Sequence, residues 1–174
     1  MNRSNYISLA ASFIFLGLLQ VTVLKNLVLG NYSSCFIYIL PLLLIPLEVS
    51  AIALMATGFL YGISIDTFYD TPGIHAASAV LIMYLRPGLI RILTPGGGYD
   101  AGTQISAAEL GWGWVLSYFI PLIFIHHVAL FFIEAGNLGM FWVTLGKATM
   151  SSIFTLVVSL IILYIRMPQK GSRL

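Results

Sequence analysis

The chain has 174 residues, of which 59% are hydrophobic and 8% charged, with a net charge of +2. A soluble domain carries about 25% charged residues, and a small one cannot bury this much apolar surface, so the composition excludes an ordinary water-soluble fold. So slight a positive balance gives no reason to expect a nucleic-acid partner, and the single Cys35 excludes an internal disulfide. The N-terminus reads Met-Asn-Arg and then turns apolar, which imitates a secretory leader. Its apolar run, Tyr6–Leu24, is too long for the core of a leader, and no Ala-x-Ala-like site follows it. It predicts an uncleaved first span.

Lys25-Asn26 ends that span, and Asn31-Tyr32-Ser33-Ser34 is a polar connector with a capping residue. The next apolar segment, Cys35–Leu47, is short and contains Pro41 and Pro46, which predicts a kinked or partly irregular helix. Irregular backbone at membrane depth must be covered by protein, so this segment belongs against other helices. Glu48 marks a reversal. The third span covers Val49–Ile65 and the fourth Ile74–Leu93. Arg86-Pro87-Gly88 predicts a kink near a membrane surface, with Leu89, Ile90 and Leu93 along the interface and Arg91 in water.

Thr94–Gly111 is polar, with the breaker Pro95-Gly96-Gly97-Gly98 and a turn of amphipathic helix over Ile105–Leu110. The fifth span covers Trp112–Ile133, anchored by Trp112 and Trp114, and the sixth covers Met140–Ile165, closed by Arg166-Met167-Pro168 and a basic tail. No internal repeat is present. Residues 1–174 therefore read as one polytopic, all-α membrane domain, a compact bundle of six transmembrane helices.

Six spans put both termini on one side. With the termini in the cytoplasm, the inner segments hold Arg3, Arg86, Arg91, Arg166, Lys170 and Arg173, against Lys25 outside and Lys147 within the last span. This positive-inside bias sets the orientation and makes 94–111 a cytoplasmic loop. Were 35–65 a single bent span, the count would be five, and Glu48 would sit deep in lipid at a cost of a few kcal/mol.

The most informative stretch is Gly58–Arg86. Gly58, Gly62 and Asp66 are four apart and share one stripe of a helix. Two glycines at that spacing let a second helix backbone approach closely, which is how helices associate in lipid. Asp70 or Thr71 is a suitable cap for the following helix, with Pro72 at its first position. Gly73, Ala76, Ala77 and Ala79 keep that helix thin where it leaves the turn. The expectation is a tight helical hairpin with an acidic corner.

The pattern Gly-Phe-Leu-x-Gly-x-x-x-Asp, a short turn, Gly-x-His-Ala and then Tyr-Leu-Arg resembles the central signature of the bacterial rod shape-determining MreD family. The match is specific over Gly58–Arg86, where Gly58, Gly62, Asp66, Gly73 and Arg86 align by pattern, and extends elsewhere only as an order of spans. The resemblance implies a non-enzymatic scaffold of the cell-elongation complex in the bacterial inner membrane. Its implied partners are an MreC-like membrane protein, a RodA-like glycan polymerase with its transpeptidase, and an MreB-like filament. It also implies a bundle similar to the substrate-binding subunits of energy-coupling-factor transporters. Two features depart from the family: Pro41 lies further into the second span than expected, and the Pro95–Glu109 loop is long and glycine-rich.

Several residues are candidates for a site. Asp66, Asp70 and His75 at the corner suit cation or proton binding, or contact with a partner's backbone, but lack the ligand density of a calcium or zinc site. Equally, Asp66 ends one helix and Asp70 caps the next. Gly58, Gly62, Gly73 and Arg86 complete a helix-packing and partner-contact set, with Arg86 and Arg91 also suited to topology anchoring and lipid headgroups. His126 and His127 point about 100° apart on a helix, which opposes joint metal binding. His127 and Glu134 share a face, and Lys147 sits at a similar depth, suited to pairing with Glu134 or Asp66. Such an intramembrane cluster is either a proton or ligand site or a polar clamp on the last hairpin. Gln20 and Thr57 are candidates for interhelical hydrogen bonds.

No hydrolase triad, zinc-protease motif, phosphate loop or thiol pair is present, and neither cofactor nor metal is expected. The alternative reading is the substrate-binding component of an energy-coupling-factor-type transporter, whose Ala-x-x-x-Ala docking motif has only Ser8-x-x-x-Ser12 as a counterpart here. A third reading is an intramembrane enzyme using Asp66, Glu134 and the histidines.

Overall fold

The computed structural model describes residues 3–30 and 32–166. Asn31 of the predicted connector and the tail residues Met167, Pro168, Lys170 and Arg173 lie outside the described residues. The elements in chain order are α1 (Arg3–Thr22), a 3-10 turn (Leu24–Asn26), β1 (Val28–Leu29), β2 (Ser33–Ser34), α2 (Ile39–Leu43), α3 (Ala51–Tyr69), α4 (Ile74–Leu93), α5 (Ala107–Ala135) and α6 (Phe141–Arg166). Among the described residues five helices, α1, α3, α4, α5 and α6, are long and apolar enough to cross a membrane. The chain is an all-α, multi-pass membrane protein by this measure.

The turns gather at two ends. One end, here the hairpin end, carries β1–β2, the α3–α4 turn and the α5–α6 turn. There Tyr32 shares a cavity with Asn137 and Met140, and the Lys25 ammonium donates to the Phe68 carbonyl. The other, here the loop end, carries Glu48 and the 94–106 loop, joined where the Gly102 N–H donates to Glu48 Oε1 (3.3 Å).

The predicted second span departs furthest from a helix. Only Ile39–Leu43 is helical, yet every residue from Cys35 to Leu43 is buried. Pro41 is tolerated within the first turn of α2, where its missing N–H would have had no intrahelical partner anyway. Before α2 the chain is held by side chains of α1 and α6 rather than by its own ladder, as described below. The predicted polar connector is instead a short antiparallel ribbon, pairing Val28 with Ser34 and Leu29 with Ser33.

The longest helices differ from expectation mainly at their ends. α3 runs four residues past Ile65, and its last turns bring Asp66 and Tyr69 to the hairpin end. α4 passes through Pro87 and stays helical to Leu93. The residue four before Pro87 is Met83, and both lie on a helix packed against the core. α5 starts with one turn at Ala107–Leu110, capped by Ser106 (Oγ accepts from Glu109 N–H, 3.2 Å), and leaves helical geometry at Gly111 (φ 82°, ψ 158°) before resuming. Trp114 is not a free interfacial anchor. It stacks on Tyr118 (5.0 Å between rings) and donates to the Tyr99 hydroxyl (3.0 Å), fastening the loop to α5.

α3 and α4 form the closest helix pair. A Cβ added at Gly62 would lie 2.7 Å from Ala76 N and 2.9 Å from the His75 carbonyl oxygen, so the two backbones are in direct contact. At Gly58 the nearest obstacle is the flexible Met83 side chain, at 2.9 Å. In lipid, where burial of apolar surface gives helices no reason to associate, such backbone contact supplies the attraction.

We expect Gly62→Ala to lower stability by about 1–3 kcal/mol through overpacking, although alanine is the better helix former by about 1 kcal/mol. Gly146→Ala, with nothing within 4 Å of the added carbon, should be neutral or stabilising. Thermal unfolding in detergent distinguishes the two, and equal effects would contradict the contact.

Candidate functional site

The acidic corner is a clasp between two helices. Asp66, at the end of α3, reaches the N-terminus of α4. Its Oδ1 accepts from the Thr71 hydroxyl (2.6 Å), the His75 backbone N–H (2.9 Å) and His75 Nδ1 (2.9 Å), and its Oδ2 accepts from the Ala76 N–H (2.9 Å). The first N–H groups of a helix have no partner within it and present a positive end, so a carboxylate is favoured there. The predicted caps are corrected accordingly. Asp70 adopts left-handed backbone (φ 55°) as the C-cap of α3 and is exposed, Gly73 (φ 87°) is the N-cap residue of α4, and Pro72 precedes the helix. Asp66 is the residue that caps α4, from the preceding helix.

A second set of polar groups surrounds the buried segment near the hairpin end. Gln20 of α1 donates to the Cys35 carbonyl (3.0 Å) and the Tyr69 hydroxyl (2.7 Å), and accepts from the Tyr38 N–H (3.4 Å). From α6, Ser151 accepts from the Ser34 N–H (3.0 Å) and Thr155 from the Phe36 N–H (2.9 Å). His127 donates from Nδ1 to the Ile123 carbonyl (2.8 Å), which leaves the Nε2 of the neutral ring to accept from the Thr155 hydroxyl (3.0 Å). His126 Nε2 lies 2.6 Å from the Tyr38 hydroxyl.

A third set lies toward the loop end. Arg86 is fully buried and pairs with no carboxylate among the described residues. Its Nε donates to the Tyr118 hydroxyl (2.5 Å), and its Nη2 donates to the Ile45 and Pro46 carbonyls, the latter at 3.3 Å. Tyr118 in turn donates to the Leu43 carbonyl (3.1 Å). The cation thus sits at the C-terminal end of α2, where helix carbonyls are unpaired and negative charge accumulates. Arg86 is not the surface anchor that its position in the sequence suggests. It and Tyr118 supply donors to three carbonyls of the irregular segment.

The structure brings some predicted residues together and separates others. His75, His126 and His127 converge on Phe36, with ring centroids 5.5, 6.4 and 5.4 Å away. Sequence spacing gave no sign of this, because His75 lies on α4, His126 and His127 on α5, and Phe36 on the buried segment between α1 and α3. Lys147 pairs with Glu134 (3.3 Å) and lies over the Phe131 ring (4.4 Å), at the half-exposed end of the α5–α6 hairpin. His127 faces Thr155 instead of joining that pair. Thr57 bonds the Ala53 carbonyl of its own helix and makes no interhelical bond. Gly58, Gly62, Asp66, His75 and Arg86 are buried, so they shape a surface from within, whereas Asp70 lies on it.

Among the described residues no group of three or more His, Cys, Asp or Glu has metal-binding proximity. Three buried side-chain atoms lack a hydrogen-bond partner there: His75 Nε2, Arg86 Nη1 and His126 Nδ1. Chemically, the arrangement holds backbone in place. Asp66, Gln20, Ser151, Thr155, Tyr118 and Arg86 each bond at least one peptide group, and side-chain pairs such as Tyr38–His126 and His127–Thr155 join them. A scan against protein-family models, a search of curated proteins and a search of solved structures each return no match.

Hydrogen bonds to a charged group contribute about 1.5–3 kcal/mol, so Asp66→Asn should cost about 2–3 kcal/mol. Asp70→Asn should be nearly neutral, since asparagine also tolerates left-handed backbone. Arg86→Met should be more damaging than Arg86→Lys, because methionine leaves the Ile45 and Pro46 carbonyls and the Tyr118 hydroxyl without their donor. Thermal unfolding of the four variants in one detergent checks both orders.

Proposed function

We propose that the chain is a non-enzymatic scaffold of the bacterial cell-elongation complex, crossing the cytoplasmic membrane six times and helping to position peptidoglycan synthesis. On this reading 33–47 is the second crossing, made by a short helix and extended chain. The hairpin end then faces outward. The loop end and both termini are cytoplasmic, in keeping with Arg3, Arg91, Arg166, Lys170 and Arg173 assigned to that side, Arg86 being inside the bundle. Glu48 lies at the cytoplasmic surface, avoiding the cost of a charge in lipid.

The observation that carries the proposal is the coincidence of a sequence pattern with one mechanical unit. Gly58, Gly62, Asp66 and His75, which resemble the MreD signature, meet in one hairpin where glycine contact and a carboxylate clasp lock two helices. Arg86, the last signature residue, ties that hairpin to the irregular segment. Support for a scaffold also comes from Gln20, Arg86, Tyr118, Ser151 and Thr155, which direct hydrogen bonds to the backbone of the irregular segment and so fix its shape. A fixed shape is what a protein needs to hold an MreC-like protein and a RodA-like polymerase in register. The fold is further proposed to be related to the six-span substrate-binding subunits of energy-coupling-factor transporters, with the shape kept and transport absent.

The test is depletion in a rod-shaped host that carries the gene. Cells are expected to widen and round, and wild-type protein should restore rods where Gly62→Ala or Asp66→Asn restores them poorly. Pull-down from native membranes should recover an MreC-like or RodA-like protein. Rods that persist on depletion, with ATPase subunits and a bound vitamin in the pull-down, would replace the scaffold with a transport component.

A further inference from the structure

The α5–α6 turn at the hairpin end carries a groove of two adjoining cavities, about 310 and 130 Å³, which share Ala135, Thr144 and Lys147. Glu134 lines the smaller cavity, and Tyr32 and Met140 line the larger. The charges here are incompletely used. Lys147 makes one hydrogen bond, to Glu134 Oε2, and has two further N–H groups. Glu134 Oε1 accepts no hydrogen bond from the described residues.

The helix ends sharpen the asymmetry. Glu134 stands one residue before the end of α5, whose Phe132, Ile133 and Ala135 carbonyls are capped by the Gly136 N–H and the Asn137 side chain, so its carboxylate is the group there that meets a cation. Lys147 follows the first turn of α6, whose N-terminal amides favour an anion. One end of the groove therefore attracts positive charge and the other negative charge, a few ångströms apart. Met140 and Val143, which line the larger cavity, are exposed apolar side chains, and Leu138 and Trp142 beside them in the chain are exposed as well, Trp142 by 79%. A tryptophan so placed at a helix start suits the boundary between headgroups and acyl chains.

We propose that this groove binds the headgroup of a zwitterionic phospholipid bearing a primary ammonium. Lys147 takes the phosphate and Glu134 takes the ammonium, while the acyl chains lie along Met140 and Val143. A phosphoglycerol headgroup meets Lys147 with its phosphate but offers Glu134 only neutral hydroxyls, which bond a carboxylate less strongly than an ammonium does. A choline headgroup has no N–H to give Glu134, and its methyl groups hold the charge further away. The inference rests on the membrane embedding of α5 and α6 and is independent of any role in wall growth.

The test uses full-length protein, delipidated in detergent, with phosphatidylethanolamine, phosphatidylglycerol and phosphatidylcholine added at equal concentration and retention read by native mass spectrometry. Phosphatidylethanolamine should be retained best. Lys147→Met and Glu134→Gln should each lower its retention roughly tenfold, the loss expected for one charge-assisted hydrogen bond. Ala135→Trp, which fills the shared part of the groove and leaves both charges, should lower it similarly, and this variant decides the matter if either charge variant fails to fold. Equal retention of the three lipids, or phosphatidylethanolamine retention unchanged in Ala135→Trp, would overturn the proposal.

Discussion

Peptide groups removed from water must find hydrogen-bond partners, and in lipid only helices and closed barrels supply all of them internally. The segment from Ser33 to Pro46 does neither, since only Ile39–Leu43 is helical. Some of its other groups bond locally, as where the Ile39 and Leu40 N–H groups donate to the Phe36 and Ile37 carbonyls, and several more are served by side chains of other helices. Ser151, Thr155 and Gln20 accept from N–H groups, while Gln20, Tyr118 and Arg86 donate to carbonyls. Each such bond contributes about 1 kcal/mol when made, but a buried group left unpaired costs about 1–3 kcal/mol. The four helices that supply these side chains, α1, α4, α5 and α6, are therefore each tied to one segment by hydrogen bonds as well as by packing.

That requirement also explains the placement of the acidic corner. Among the described residues α3 makes no hydrogen bond to the irregular segment, and it is held by α4 and by the bond from the Tyr61 hydroxyl to the Phe13 carbonyl of α1. Glycine contact at Gly62 brings the two backbones together, and Asp66 closes the top of the pair on the free amides of α4. Gln20 then joins the end of α3 to the segment through Tyr69. The signature stretch thus couples α3 to α4, and through Arg86 of α4 to the irregular segment.

Much of the helix order was legible because each long span is a continuous apolar run bounded by charges, prolines or glycines. The hairpin between α3 and α4 was legible in the four-residue spacing of Gly58, Gly62 and Asp66. The cap was misassigned because Asp70 and Thr71 stand where a local cap belongs, and local rules do not foresee a carboxylate arriving from the preceding helix. The irregularity of 35–47 was visible in Pro41 and Pro46, but its short extent of helix was not, since that depends on side chains more than a hundred residues away. One signal for them was present and passed over. Thr144, Ala148, Ser151, Thr155 and Ser159 recur at three- and four-residue spacing, and all of them are buried on one face of α6. Arg86 looked like a boundary residue because a lone arginine beside Pro-Gly fits the interface. Its partners are carbonyls, which sequence cannot point to.

The scaffold reading and the six-crossing topology share one physical premise: that 33–47 passes from one membrane face to the other inside a sleeve of helices. Cysteine labelling in intact cells tests it most directly. Tyr32→Cys and Ser50→Cys, each in a Cys35→Ser background, flank the segment at its two ends. An impermeant thiol reagent applied from outside should label position 32 at once and position 50 only after the membrane is opened. Labelling of both positions from the same side would contradict the account.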